Sequence, residues 1–132
     1  MKFASVRLVL HDFECLLAYY TKLSGIEAVR LVEEFAELRT DGAVLVISSE
    51  RLIQQFNAGA AKAAANRSAI MEFQVDDVDS VCVRLSDAAV EFVMMPTLMP
   101  WGNRSMLLRD PDGNLVNVFS KPKMQGEGSV ST

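Results

Sequence analysis

The sequence predicts an α+β protein that contains two tandem βαβββ modules, and three observations lead to this fold class. The first is an internal repeat: Leu8–Leu17 and Phe73–Cys82 share the order of their apolar residues and an aspartate that precedes an amphipathic run. The second is the helical spacing of the apolar residues that follow each aspartate. The third is the similar ending of the two halves, at Leu38–Ser48 and Leu108–Phe119, with one residue inserted at the second turn.

The first module covers about residues 3–48 and begins with a strand at Phe3–Leu10. Asp12 is a typical helix cap, and the helix predicted at 13–23 ends at Gly25, a residue that favours helix termini. Its apolar stripe is formed by Phe13, Leu16, Leu17, Tyr20 and Leu23. Three further strands are predicted near 26–32, 34–39 and 43–48.

The second module covers about residues 69–120 and repeats this order. A strand at Ala69–Val75 precedes Asp77, which is placed to cap a helix at 78–88. The apolar stripe of this helix consists of Val78, Val81, Cys82, Leu85 and Ala89. The remaining strands are predicted near 90–95, 103–109 and 114–119.

A tight turn separates the last two strands of the second module, and it is spelled Asp-Pro-Asp-Gly-Asn at 110–114. Pro111 presets the backbone for an early turn position, and Gly113 provides a positive φ. A Trp101-Gly102 corner precedes the first of the two strands. This segment therefore predicts a β-hairpin with a rigid corner at its entry.

The segment at about 49–67 is predicted to connect the modules. It begins with a short amphipathic piece, Ser49–Phe56, and continues as an alanine-rich run that either extends a helix or forms a mobile connector. Gly59 and the lack of large apolar residues favour the connector. The tail at 121–132 is expected to be disordered, which leaves one domain at 1–120.

Composition indicates one globular domain and excludes several classes of protein. The chain has 132 residues, of which 50% are hydrophobic and 23% charged, so it is able to form a core. A formal net charge of −4 offers no basic surface to nucleic acid, and no apolar stretch is long enough to span a membrane. Cys15 and Cys82 are assigned to apolar helix stripes, so buried reduced thiols in a cytoplasmic protein are expected.

These features together resemble the glyoxalase/bleomycin-resistance/dioxygenase superfamily, also called the vicinal oxygen chelate proteins. The resemblance rests on the two βαβββ halves, on the aspartate at the first helix start, and on the Trp101-Gly102 corner with its following Asp-Pro-Asp-Gly-Asn turn. That corner and Glu33–Leu38 are most similar to the bleomycin-resistance, drug-binding branch. The resemblance implies that the sheets curl into a cup with helices on its outer side, and that the cup holds a metal ion or a ligand.

The sequence departs from the pattern of the metal-dependent members of that superfamily. Those members hold a divalent ion with His, Gln or Glu on the leading and closing strands of each module. The corresponding positions here are Ser5, Val46, Ile70 and Asn117. Because a hydroxyl, an amide and two hydrocarbons bind a hard cation poorly, no metal and no other cofactor is expected.

Six residues are predicted to bind a ligand, namely Trp101, Phe35, Arg7, Glu72, Asn117 and Phe119. The resemblance implies that Trp101 stacks on a planar ring and that Phe35 approaches from a partner subunit. Arg7 and Glu72 are equivalent in the repeat, so they either pair with each other, which is favoured, or bind polar groups of the ligand. Phe119 either faces the ligand or belongs to the core. The same alternatives apply to the methionines near the tryptophan, which are Met94, Met95, Met99 and Met106.

No catalytic residue is predicted. His11 is the single histidine of the chain and precedes a helix cap, so it is expected to be a solvated loop residue rather than a ligand or a base. The acidic run at Asp76–Asp79 is explained by a helix amino terminus, where negative charge is favourable. Neither feature supports a catalytic triad.

The leading functional hypothesis is a metal-free homodimer that sequesters a flat, partly apolar small molecule, as the resemblance to the bleomycin-resistance branch implies. The first alternative is a metal-dependent glyoxalase, isomerase or dioxygenase with relocated ligands. The second is a partner-binding module whose cup is vestigial. Neither nucleic acid nor a membrane is an expected partner.

Overall fold

The computed structural model describes residues 1–86 and 89–122 of the chain. These residues form two compact units, of which the first comprises Met1–Arg67 together with Pro111–Gly113. The rest of the described chain belongs to the second unit, and each unit contains a four-stranded mixed sheet. The predicted α+β class and the two tandem modules are therefore confirmed.

The first unit has a sheet in the order β1-β4-β3-β2. Its elements are β1 (Ser5–Leu10), α1 (Phe13–Ser24), β2 (Val29–Val32), β3 (Phe35–Arg39), β4 (Val44–Ser49) and α2 (Glu50–Phe56). Strand β1 runs parallel to β4, and the other neighbours are antiparallel. The Asp12 side chain accepts a hydrogen bond from the Cys15 amide, and Gly25 ends α1 with φ of 73°, as the sequence predicts.

The core of the first unit lies between α1 and one face of its sheet. All five residues of the predicted α1 stripe are buried, and they face alternate residues of the strands, including Leu10, Leu38 and Ile47. Cys15 is exposed, so the prediction of a buried thiol was wrong at this position. At about 100° per residue, Cys15 lies roughly 200° from Phe13 and therefore on the opposite side of the helix.

The second unit repeats the arrangement with the strand order β5-β8-β7-β6. Its elements are β5 (Ile70–Gln74), α3 (Val78–Leu85), β6 (Glu91–Leu98), β7 (Arg104–Arg109) and β8 (Leu115–Ser120). Asp77 caps α3 by accepting from the Ser80 amide, and Cys82 is buried as predicted. The predicted end of this helix was wrong because α3 stops at Leu85; positions 87 and 88 lie outside the described residues, and Ala89 is exposed rather than part of the stripe.

Strand β6 continues three residues beyond its predicted end and includes Pro96. A proline lacks the amide that a central strand needs, which is why the sequence suggests an earlier end. Here β6 lies at the edge of its sheet, and its pairing with β7 contains irregularities around Met94. An edge strand with bulges accommodates the missing donor.

The linking segment and the tail contain little regular structure. After α2, residues 57–69 contain no helix or strand, so the alanine-rich run does not extend a helix. Of the predicted tail, Lys121 and Pro122 are described, and 123–132 lie outside the described residues. Among the described helices, none combines the length and the apolar character that crossing a bilayer requires.

Candidate functional site

Each sheet has a surface opposite its long helix, which we call the distal face. Side chains alternate between the two faces of a strand, so the distal residues are those that alternate with the buried, helix-facing ones. In the first sheet they include Ser5, Arg7, Val9, Val44, Val46, Ser48, Phe35 and Glu37. In the second sheet they include Ile70, Glu72, Gln74, Leu115, Asn117, Phe119, Ser105, Leu107 and Arg109.

On the first distal face, Arg7 is held between a hydroxyl and an aromatic ring. Its Nε donates to the Ser48 hydroxyl at 2.9 Å, and its guanidinium carbon lies 4.9 Å from the centre of the Phe35 ring. Ser48 is fully buried on β4, whereas Arg7 and Phe35 are half-buried on the two strands that flank it. The terminal guanidinium nitrogens donate to no described residue, so a planar cation with unused donors lies on this face.

On the second distal face, Asn117 and Glu72 form the corresponding polar pair. They lie opposite each other on β8 and β5, and Asn117 Nδ2 donates to Glu72 Oε2 at 3.0 Å. Asn117 Oδ1 is buried, and no donor within the described part of the chain reaches it. Leu107 lies opposite Asn117 on β7, while Leu115 and Phe119 lie two residues away along β8 on the same face. The pair therefore has apolar neighbours.

The favoured Arg7–Glu72 pairing would join residues of different units, and it stays a prediction. Within the first unit Arg7 bonds to Ser48, and within the second Glu72 bonds to Asn117. Each charged side chain thus has a polar partner in its own module. The approach of Phe35 from a partner subunit likewise stays a prediction.

Trp101 lies at the corner between β6 and β7, and 68% of its surface is exposed. Two backbone hydrogen bonds close the corner, from the Met99 amide to the Asn103 carbonyl and from the Gly102 amide to the Met99 carbonyl. Of the four methionines named with it in the sequence analysis, Met106 is fully buried, so for this residue the core alternative holds. The reason is strand parity, since Met106 pairs with Val118 on the face that α3 covers.

Gly102 requires both a special backbone conformation and an open space beside it. Its φ is +99°, and a Cβ atom at this position would lie 3.0 Å from Pro122 Cγ. The Gly102→Ala substitution is therefore expected to lower the free energy of unfolding by about 2 kcal/mol. Urea denaturation of the purified variant measures this loss.

Gly113→Ala is the matched control for that substitution. Gly113 has φ of +84°, but no atom lies within 4 Å of the place that a Cβ atom would take, so only backbone strain of about 1 kcal/mol is expected. Equal losses in the two variants would contradict a role for the packing of Pro122 on the Trp101-Gly102 corner.

The turn before Phe35 is held by Glu34, which adopts φ of 63°, uncommon for a residue other than glycine. Its carboxylate accepts from Arg51 Nε at 3.1 Å and from Arg51 Nη2 at 2.8 Å, and its carbonyl accepts from the Ser49 amide at 3.1 Å. The Ser49 hydroxyl and the Arg51 guanidinium both hold the pKa of Glu34 below its usual value. These contacts fix the position from which Phe35 enters β3.

The lowered pKa of Glu34 leads to a prediction about pH. A carboxyl group whose pKa is lower in the folded state than in the unfolded state stabilises the fold at pH values above its unfolded pKa. This stabilisation disappears as the pH falls through the folded-state pKa. Arg51→Met is therefore expected to lower the melting temperature slightly at neutral pH, and by progressively less as the pH falls through the lowered pKa of Glu34. A melting difference between the wild type and R51M that stays constant over this range would exclude the ion pair as its cause.

His11 is an exposed residue in the bend that follows β1, as the sequence predicts. Its amide donates to Asp112 Oδ2 at 3.1 Å, within the first unit. Its imidazole Nδ1 lies 3.6 Å from Asp112 Oδ1, and its Nε2 lies 3.9 Å from Glu50 Oε1. The turn aspartate therefore anchors the start of the α1 segment.

The superfamily resemblance implies metal ligands at four positions. The side chains at these positions do not fit a divalent cation. Ser5 and Ile70 are exposed, Val46 is buried, and Asn117 contributes one amide oxygen. Residues 1–86 and 89–122 contain no group of three or more His, Cys, Asp or Glu side chains arranged for a metal. Carboxylates and imidazoles normally supply such sites, and these four positions offer neither.

Two parts of these faces were not evident in the sequence. The Arg7–Ser48 bond joins residues far apart in the chain, although the two serines that end the apolar run Val44–Ser49 were a signal. Leu107 was missed because its strand does not alternate polar and apolar residues.

Comparisons with known proteins agree with this architecture. The family model described as the Glyoxalase/Bleomycin resistance protein/Dioxygenase superfamily matches residues 2–118. Among curated proteins, no significant sequence match was found.

Several solved structures share the fold at low sequence identity. A glyoxalase-related enzyme from Fulvimarina pelagi has a TM-score of 0.78 at 21% identity, covering 100% of this chain and 98% of that one. A glyoxalase/bleomycin resistance protein/dioxygenase family enzyme from Burkholderia phytofirmans PsJN has a TM-score of 0.77 at 16% identity, covering 91% and 98%. TioX from Micromonospora sp. ML1 has a TM-score of 0.68 at 20% identity, covering 91% and 98%. With the match of the family model, the chain belongs to the glyoxalase/bleomycin resistance protein/dioxygenase superfamily.

Proposed function

We propose that this protein is a metal-free small-molecule binding protein of the bleomycin-resistance type, which acts by sequestering a flat, partly apolar ligand. The observation that carries the proposal is the make-up of the distal faces. Arg7 and the Asn117–Glu72 pair keep unused hydrogen-bonding capacity beside apolar or aromatic side chains. Small-molecule sites typically combine an apolar lining with a few oriented polar groups.

Trp101 supports the same proposal. A large indole with 68% of its surface exposed gains little from core packing, whereas a planar ligand stacked on it would remove apolar surface from water. Met95 and Leu98, on the preceding strand, are also exposed. Exposed apolar side chains grouped near one corner are typical of interaction sites.

The metal-dependent alternative has less support from the residues. A glyoxalase, isomerase or dioxygenase on this scaffold would need ligands at other positions than Ser5, Val46, Ile70 and Asn117. The partner-binding alternative, with a vestigial cup, explains an exposed Trp101 but gives no reason for an oriented, unpaired amide oxygen on Asn117. Sequestration accounts for both features and requires no catalytic group.

One preparation tests these functions together. The purified protein is analysed for bound metals, and its melting is followed with divalent metal salts and with bleomycin and other planar drugs. A ligand present at 100 times its dissociation constant is expected to stabilise the fold by about 2.7 kcal/mol, which gives a clear melting shift. Trp101 is the only tryptophan of the chain, so its fluorescence reports ligand contact directly.

The outcomes separate the alternatives. If no planar drug shifts the melting temperature or the Trp101 fluorescence, sequestration loses its support. One divalent ion per site in the native protein would favour the metal-dependent enzyme, and a co-purified protein partner would favour the partner-binding module. The proposal also includes a homodimer, and sedimentation equilibrium measures the molecular mass that tests it.

A further inference from the structure

The amide of Asn117 has one half that is bonded and one half that is not. Its Nδ2 donates to Glu72 Oε2, whereas its Oδ1 is buried and receives no hydrogen bond from the described residues. Buried acceptors without a partner are rare in folded proteins, because the group loses its water without compensation. A donor from outside the chain, either a water molecule or a polar group of a ligand, would satisfy this oxygen.

The orientation of this amide is fixed by its neighbour. An exchanged amide would place Oδ1 beside the Glu72 carboxylate, where two acceptors would repel each other, and would lose the 3.0 Å bond. Glu72 therefore sets the direction of the Asn117 carbonyl. The carboxylate and the amide oxygen together form a group that has acceptors on both residues.

Asn117 has apolar neighbours on three sides, whereas Glu72 lies between Ile70 and Gln74 along β5. Leu107 lies across the strand pair, and Leu115 and Phe119 lie along β8 on the same face. The nearest cationic side chain on this face by register is Arg109, which is opposite Leu115 and Glu91 rather than opposite Asn117. Neither member of the pair shares a row of the sheet with a cationic side chain.

We propose that Asn117 and Glu72 form a binding subsite for a protonated amine on an aromatic or aliphatic ligand. The ammonium group donates to Asn117 Oδ1 and to the Glu72 carboxylate, while the apolar part of the ligand lies on Phe119 and Leu107. Hydrogen bonds to charged groups are stronger than neutral ones, so this subsite selects cations. The inference rests on the proposed function, since it names the ligand class for the same face.

The other module differs at the equivalent position. Arg7 replaces Glu72 in the repeat, and its guanidinium donates to Ser48 rather than accepting. Selection of a cation is therefore expected of the second module and not of the first.

Three probes with the same ring and different polar groups test this subsite. Isothermal titration calorimetry near neutral pH compares 2-naphthylmethylamine, which is cationic, with neutral 2-naphthylmethanol and anionic 2-naphthoate. The amine is expected to bind about tenfold more tightly than the alcohol, and the carboxylate more weakly than either. Equal affinities of amine and alcohol would overturn the inference while leaving the proposed function intact. Failure of all three to bind would contradict the proposed function, and this subsite with it.

Variants assign the preference to the two residues. Glu72→Gln keeps an acceptor for Asn117 but removes the charge, so the amine is expected to lose its tenfold advantage while the alcohol binds as before. Asn117→Leu removes the unpaired buried oxygen, so weaker amine binding is expected without a lower melting temperature. Glu91→Gln, on the edge strand β6, is the control and should change neither. A full amine preference in E72Q would also overturn the inference.

Discussion

Asp110→Ala is expected to lower the free energy of unfolding by about 2–4 kcal/mol. The carboxylate is buried, with 3% of the residue exposed, and it accepts from the Asn114 amide at 2.9 Å and from Asn114 Nδ2 at 2.8 Å. Asn114 is itself only 2% exposed, so alanine would leave two buried donors without these acceptors. The hairpin turn between β7 and β8 would lose both side-chain hydrogen bonds that close it and keep the backbone bond from the residue 110 amide to the Asn114 carbonyl.

The repeat provides the matched control for this substitution. Thr40 is equivalent to Asp110 in the first module, where its hydroxyl accepts from the Gly42 amide at 3.0 Å and donates to the Ala43 carbonyl at 2.6 Å. Because that turn is exposed and water replaces the lost bonds, Thr40→Ala is expected to cost about 1 kcal/mol or less. Urea denaturation of both variants gives the comparison. A loss in D110A no larger than in T40A would mean that burial does not strengthen this turn.

The fold was predictable because its strongest signals are local. Asp12 and Asp77 bond to amides three residues later, and Gly25 has the left-handed conformation that ends α1, so each cap depends on a few neighbouring residues. The buried stripe of α1 follows from helix geometry in the same way. Cys15 is exposed, contrary to the prediction, because its angle around α1 turns it away from the sheet.

The site contacts were less predictable because they depend on strand register. Alternation identified which residues share a face, but the Arg7–Ser48 and Asn117–Glu72 bonds also require each leading strand to pair with its closing strand in one alignment. The unpaired state of Asn117 Oδ1 depends in addition on side-chain orientation. Sequence patterns of period two contain no information about that orientation.

Trp101→Ala is expected to weaken the binding of a planar drug about 10- to 100-fold, since stacking on an aromatic side chain contributes roughly 1–3 kcal/mol. The melting temperature of the unliganded protein should hardly change, because 68% of the indole is exposed and little packing is lost. Calorimetry is required for the affinity, since the variant has no tryptophan left to report binding. The drug used is the one that gives the largest melting shift with the wild type.

Two further variants separate stacking from the loss of any exposed aromatic ring. Trp101→Phe retains a smaller ring and is expected to bind with intermediate affinity. Phe56→Ala removes another exposed ring, 74% accessible at the end of α2, and should leave the affinity unchanged. Unchanged affinity in W101A would place the ligand away from the β6–β7 corner, and the polar groups of the distal faces would then have to account for binding without it. A large loss in W101A with none in F56A assigns the stacking surface to Trp101, because the two rings are exposed to a similar degree.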